Sequence, residues 1–75
     1  MRKIINGLSY DTEKSTLVYR EEDTRRELYV TKKGRWFKFY PNGVITPITD
    51  TEAMIYLGDH APDLYEEYFG EVEEA

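Results

Sequence analysis

Apolar and polar residues alternate along the first two thirds of the chain, and the apolar positions then recur at helical spacing, with the change of period at Thr49. Extended runs are predicted at 2–5, 8–10, 15–20, 26–31, 35–40 and 44–48. Between the first two lies Asn6-Gly7, a pair that tolerates the positive φ of a two-residue type I′ hairpin turn. Asp11-Thr12, the charged stretch 21–25, Lys32-Lys33-Gly34 and Pro41-Asn42-Gly43 supply the later turns. Pro47 has no amide to give to a sheet ladder, so the last run belongs at an edge or a strand end.

Thr49-Asp50-Thr51-Glu52 reads as a capping box, in which the Thr49 hydroxyl accepts from an orphan amide and Glu52 reaches back. The helix that follows carries Ala53, Met54 and Leu57 as its apolar stripe and has Gly58 where a C-terminal cap is expected. A second helix is predicted from Pro62, whose ring suits the first helical position, to Phe69, with Gly70 as its stop. Leu64 with Tyr68 and Tyr65 with Phe69 are i,i+4 pairs directed at the core, and 71–75 is an acidic tail. The expected fold class is α+β, an antiparallel β-meander of about four to five short strands followed by two short C-terminal helices packed on one face. It forms a single domain, with strands over 1–48 and helices over 49–70.

Strand periodicity also predicts the two sheet faces. Leu17, Leu28, Val30, Phe37 and Phe39 are expected to face the helices, and Val18, Tyr29, Trp36 and Tyr40 to face away. The second set needs a loop or the N-terminal strand as cover, or else stands free as an aromatic contact surface or homodimer seam.

Composition narrows the function classes. A chain of 75 residues has room for one small core, to which seven Tyr, three Phe and Trp36 contribute large rings. The absence of Cys removes disulfides and thiolate metal sites. After Met1-Arg2-Lys3 only Ile4 and Ile5 precede polar Asn6, which is no signal peptide, and no apolar run approaches the roughly 20 residues of a membrane span. A cytoplasmic protein without membrane contact is expected. The lone His60 has no evident nucleophile to serve, and no glycine-rich phosphate loop or paired-carboxylate cleft can be assembled, so neither an enzyme nor a cofactor is expected.

Charge is the strongest functional signal. Residues 1–38 hold ten basic and six acidic residues, a balance of +4, whereas 39–75 hold nine acidic residues and no Lys or Arg, a balance of −9. Stability alone does not ask for this division, because mixed signs on one surface are more soluble and less self-repelling. Glu66, Glu67 and Glu71 even crowd the negative end of the second helix, where they weaken it. Asp59, Asp63, Glu66, Glu67 and Glu71 therefore form a candidate face for a partner with a basic surface, set against the simpler reading of a solubilising coat. The alternative, disfavoured because a net charge of −5 repels phosphate, is a nucleic-acid platform, with Tyr29, Trp36 and Tyr40 stacking bases beside Lys32, Lys33 and Lys38. Asp59, His60 and Asp63 are weak metal candidates, more simply read as a turn in which Asp59 or His60 caps the second helix.

Certain segments also carry a resemblance: Ile4-Ile5-Asn6-Gly7 with Tyr10-Asp11-Thr12, Leu28-Tyr29, Lys33-Gly34 with Trp36-Phe37, the run 45–49 with Glu52-Ala53, and Tyr65 with Phe69-Gly70. Together they resemble small accessory proteins encoded on phages and integrative elements of Gram-positive bacteria. Those relatives carry a longer, Gly-rich insertion after the Trp-Phe strand, where this chain has only Pro41-Asn42-Gly43. The resemblance implies a protein of the bacterial host cytoplasm that acts by protein binding. Its most concrete form is an anti-CRISPR inhibitor occupying a basic, nucleic-acid-binding surface of a Cas effector.

Overall fold

The structure, a computed structural model describing residues 1–75, places six strands before two helices. The strands are β1 (Arg2–Ile5), β2 (Leu8–Asp11), β3 (Thr16–Arg20), β4 (Glu27–Val30), β5 (Trp36–Phe39) and β6 (Ile45–Ile48); the helices are α1 (Asp50–His60) and α2 (Pro62–Phe69). All pairings are antiparallel: β1 and β2 form a separate hairpin, and β3-β4-β5-β6 form a four-stranded meander. The α+β layout is the one expected. The hairpin turn has φ 51° at Asn6 and 76° at Gly7, as a type I′ turn requires. Pro47 sits in β6 on the sheet edge, where a missing amide costs no ladder bond.

Three layers result, with the helices on one face of the meander and the hairpin on the other. On the helix side Val18, Leu28 and Trp36 pack with Ala53 and Leu57 of α1, and Leu64, Tyr65 and Phe69 of α2 close the cluster. On the hairpin side Tyr10 and Ile5 cover Tyr29, Phe37, Ile45 and Phe39. Within this second cluster Tyr29 stacks on Phe37 at 5.2 Å and Tyr10 meets the same ring edge-on at 5.5 Å. Only nine of the 75 residues are buried, so half-buried rings carry much of the packing that a larger core would supply.

This arrangement corrects the predicted faces. Directly paired residues of neighbouring strands share a face, and the register pairs Val30 with Trp36 and Tyr29 with Phe37. Leu28 and Val30 do face the helices, but they bring Trp36 with them, while Phe37 and Phe39 turn to the hairpin together with Tyr29. The one-residue phase difference between β4 and β5 inverts every β5 side chain. In β3 a bulge between Leu17 and Tyr19 sends both Val18 and Tyr19 to the helix side. Leu17 is left 42% exposed.

The capping box at the start of α1 is complete: Glu52 N donates to Thr49 Oγ1 at 3.1 Å, and Thr49 N donates to Glu52 Oε1 at 3.0 Å. The hydrogen bonds from Thr49 hold the Glu52 carboxyl below its ordinary range. α1 does not stop at Gly58. It runs to His60, because the terminating constraint is Pro62, whose ring disfavours helical geometry at the preceding residue; Ala61 accordingly has φ −150° and ψ 73°. Neither Asp59 nor His60 caps α2, whose N-cap is Ala61 and which has no side-chain cap. Gly58 instead lies under the ring of Tyr65, where an added Cβ would meet Cδ2 at an ordinary van der Waals distance of 3.8 Å. α2 ends at Gly70, whose φ of 99° only glycine adopts readily.

Two stability measurements test this packing. Gly58→Ala is expected to raise stability by about 0.5–1 kcal/mol in urea unfolding, since the methyl fits and helical glycine is entropically costly. Trp36→Ala is expected to cost about 3–5 kcal/mol by the same measurement; a loss below 1 kcal/mol would place Trp36 outside the core.

Candidate acidic interaction face

The second helix separates its residues by periodicity. Leu64, Tyr65 and Phe69 turn to the sheet, where Phe69 stacks on Trp36 at 5.3 Å and Tyr68 meets it edge-on at 5.5 Å. Asp63, Glu66 and Glu67, spaced i, i+3, i+4, share the opposite stripe and are exposed. Asp59, at the end of α1, lines a shallow hollow with Lys38, Glu52, Ile55, Tyr56 and His60, while Glu71 continues into the exposed tail. The structure thus puts Asp63, Glu66 and Glu67 on one helix face and Asp59 apart from them, in a hollow of α1 that also holds Lys38.

All nine acidic residues beyond Lys38 are exposed, and none is paired with Lys or Arg. The ion pairs of the molecule are Arg20 with Glu27, at 2.6 Å, and His60 with Asp59, at 3.8 Å. Apolar groups interrupt the acidic layer. Ile55 is 68% exposed and Val72 56%, and Val72 lines a depression of about 170 Å³ with Gly58, Pro62, Tyr65 and Glu66. The apolar companions Ile55 and Val72 were not legible as site residues, because a single exposed aliphatic has no periodic signature.

One polar tie fixes the end of α1 nearest this face. The Tyr56 hydroxyl donates to Glu21 Oε2 in the β3–β4 turn, across 35 residues of sequence. The Tyr56 ring carries His60 stacked on it at 4.3 Å and the Lys38 ammonium at 4.4 Å from its centroid. His60 Nδ1 also lies 3.0 Å from the Tyr56 carbonyl oxygen. The hydrogen bond from Tyr56 holds the Glu21 carboxyl below its ordinary range, outweighing desolvation, and burial together with Glu21 pushes the Tyr56 hydroxyl up. His60 is therefore a packing residue of this tie. Asp59, His60 and Asp63 do not converge as ligands, and no group of three or more His, Asp or Glu side chains could hold a metal ion.

The aromatic platform is not assembled. Trp36, 5% exposed, is enclosed by α2, and Tyr29 lies on the opposite sheet face with its hydroxyl donating to Glu27 Oε1 at 2.9 Å. Burial and Glu27 push that hydroxyl up to about 12. The Tyr40 ring is covered by the Arg26 guanidinium, 5.5 Å from its centroid. No helix is long and apolar enough to cross a membrane.

No family model, curated protein or solved structure matches the chain. Its site is read from its own chemistry.

The Tyr56–Glu21 tie predicts an acid limb in the stability profile. Because the folded pKa of Glu21 is depressed, its contribution is fully present above the ordinary glutamate value of 4.5 and is lost as pH falls through the depressed value. Tyr56→Phe should cost about 1–2 kcal/mol at pH 7 and flatten this part of the pH dependence in chemical unfolding. An unchanged acid limb would show that the tie is not formed in solution.

Proposed function

We propose that the protein acts by protein binding, its acidic helical layer docking on a basic protein surface of the kind that otherwise holds nucleic acid. The resemblance to mobile-element accessory proteins makes an anti-CRISPR inhibitor, seated in the groove of a Cas effector, the most concrete form of this reading. The supporting observation is that none of the nine exposed carboxylates beyond Lys38 is paired with Lys or Arg.

Physical reasoning favours a partner over a plain coat. Asp63, Glu66 and Glu67 repel one another along one face of α2, a cost of a few tenths of a kcal/mol per pair that a basic partner would reverse. Ile55, Val72 and the apolar depression at Tyr65 supply hydrophobic contact within a polar surround, the composition that binding interfaces share. Charge complementarity of this kind speeds association and makes it salt-sensitive.

Asp63→Lys/Glu66→Lys/Glu67→Lys tests the reading. Stability should change by less than about 1 kcal/mol, because the three side chains are exposed and unpaired. Binding to the purified effector should weaken by at least about 100-fold, and protection in a plasmid-interference assay should disappear. Protection that survives the triple reversal would exclude this face as the inhibitory surface.

A further inference from the structure

The basic residues of the first half gather in a second place, at the edge of the hairpin layer. A cleft of about 500 Å³ runs between the β1–β2 hairpin and the β4–β5 turn, and Arg2, Lys14, Lys32, Lys33 and Arg35 line it. None of these five cations is ion-paired. The one carboxylate of the lining, Asp11, is turned to its own backbone: its Oδ1 accepts from Glu13 N at 2.9 Å.

The hydroxyls of the cleft are poised the same way. Ser9 Oγ accepts from Arg2 Nε at 2.9 Å and Thr31 Oγ1 accepts from Arg35 N at 3.0 Å, which leaves each O–H free to donate. Ser15 adds a third hydroxyl to the wall. The lining is rich in donors and poor in acceptors, so it suits a ligand that only accepts. Guanidinium forks, ammonium groups and hydroxyls are together the set that contacts the sugar-phosphate backbone. Leu8 is the single apolar lining residue, and no aromatic ring reaches the cleft. A protein partner would want an apolar or aromatic anchor there.

We propose that this cleft binds the phosphate backbone of a nucleic acid, without reading base identity. The site is separate from the acidic face: it is built from the hairpin, the β2–β3 connection and the β4–β5 turn, while the acids beyond Lys38 lie on the helices and tail. Its contact is electrostatic and independent of sequence.

The test is fluorescence polarisation of the whole protein with labelled oligonucleotides of mixed sequence, one single-stranded and one duplex. Binding is expected at a Kd of about 10⁻⁵ M or tighter in about 50 mM salt, with a log–log salt slope of about −3.5 on the single strand, as about five phosphate contacts would give. Lys32→Glu/Lys33→Glu, confined to an exposed turn, should weaken binding at least about tenfold and bring the slope to about −2. Lys14→Glu, from the β2–β3 connection, should weaken it in the same direction. Glu66→Lys/Glu67→Lys should leave the effect of the cleft variants intact, so failure here and failure of the acidic face are read separately. A preference for either nucleic-acid form supports the proposal and names the form bound. No binding at low salt, or equal binding by the cleft variants, would overturn it. So would polyglutamate competing as well as the oligonucleotide, or self-association that the oligonucleotide displaces, since the cleft would then serve acidic peptide or a second copy's tail.

Discussion

Two consecutive residues, Trp36 and Phe37, hold the two halves of the core. Successive side chains of a strand point to opposite faces, so β5 sends Trp36 to the helices and Phe37 to the hairpin. Phe69 and Tyr68 close on the first ring; Tyr29 and Tyr10 close on the second. A sheet of four short strands cannot leave either apolar face in water, and in so small a domain neither cover is large. The eight-residue α2, which has no fully buried residue, and the four-residue strands of the hairpin are held by these ring contacts.

That double cover also distributes the charge. Covering one sheet face with helices of 49–70 carries the acids into one layer, and covering the other with the N-terminal hairpin brings Arg2 and Lys14 beside the β4–β5 turn with its Lys32, Lys33 and Arg35. A division that follows the chain at Lys38 becomes a division between layers of the molecule. The Tyr56–Glu21 hydrogen bond and the Lys38 ammonium over the Tyr56 ring are among the few places where the two halves meet through polar groups. The cations of the cleft form no ion pair and the carboxylates beyond Lys38 form none with Lys or Arg, which is why both an acidic face and a basic cleft can be read as sites.

The acidic residues were visible as a group because charge is counted along the chain, and i, i+3, i+4 spacing on α2 puts Asp63, Glu66 and Glu67 on one stripe without tertiary information. The basic cleft was not visible. Arg2, Lys14 and Arg35 lie in three separated segments, and only the folding of the hairpin across the sheet brings them to one cleft. Likewise His60 looks like a candidate ligand when read beside Asp59 and Asp63, but its place is decided by Tyr56, one helical turn before it, and by Tyr19 on β3, whose ring lies 6.1 Å away. Gly58 resembles a cap in isolation because local reading weighs glycine heavily, whereas the helix stops where Pro62 forbids its continuation.

Local chemistry by itself determined the Asn6-Gly7 turn, the capping box at Thr49, the helix start at Pro62 and its stop at Gly70, since each is settled by φ preference or by groups within four residues. It also determined the α+β order of strands before helices, which follows from the change of period. Which face each strand turns to the helices was decided only by tertiary structure. Periodicity within a strand says which residues stand together, but not which of two sets faces a given layer. The register of β4 with β5 and the bulge in β3 set that phase, and a shift of one residue exchanges the two faces. Trp36 is a core residue rather than a surface for that reason.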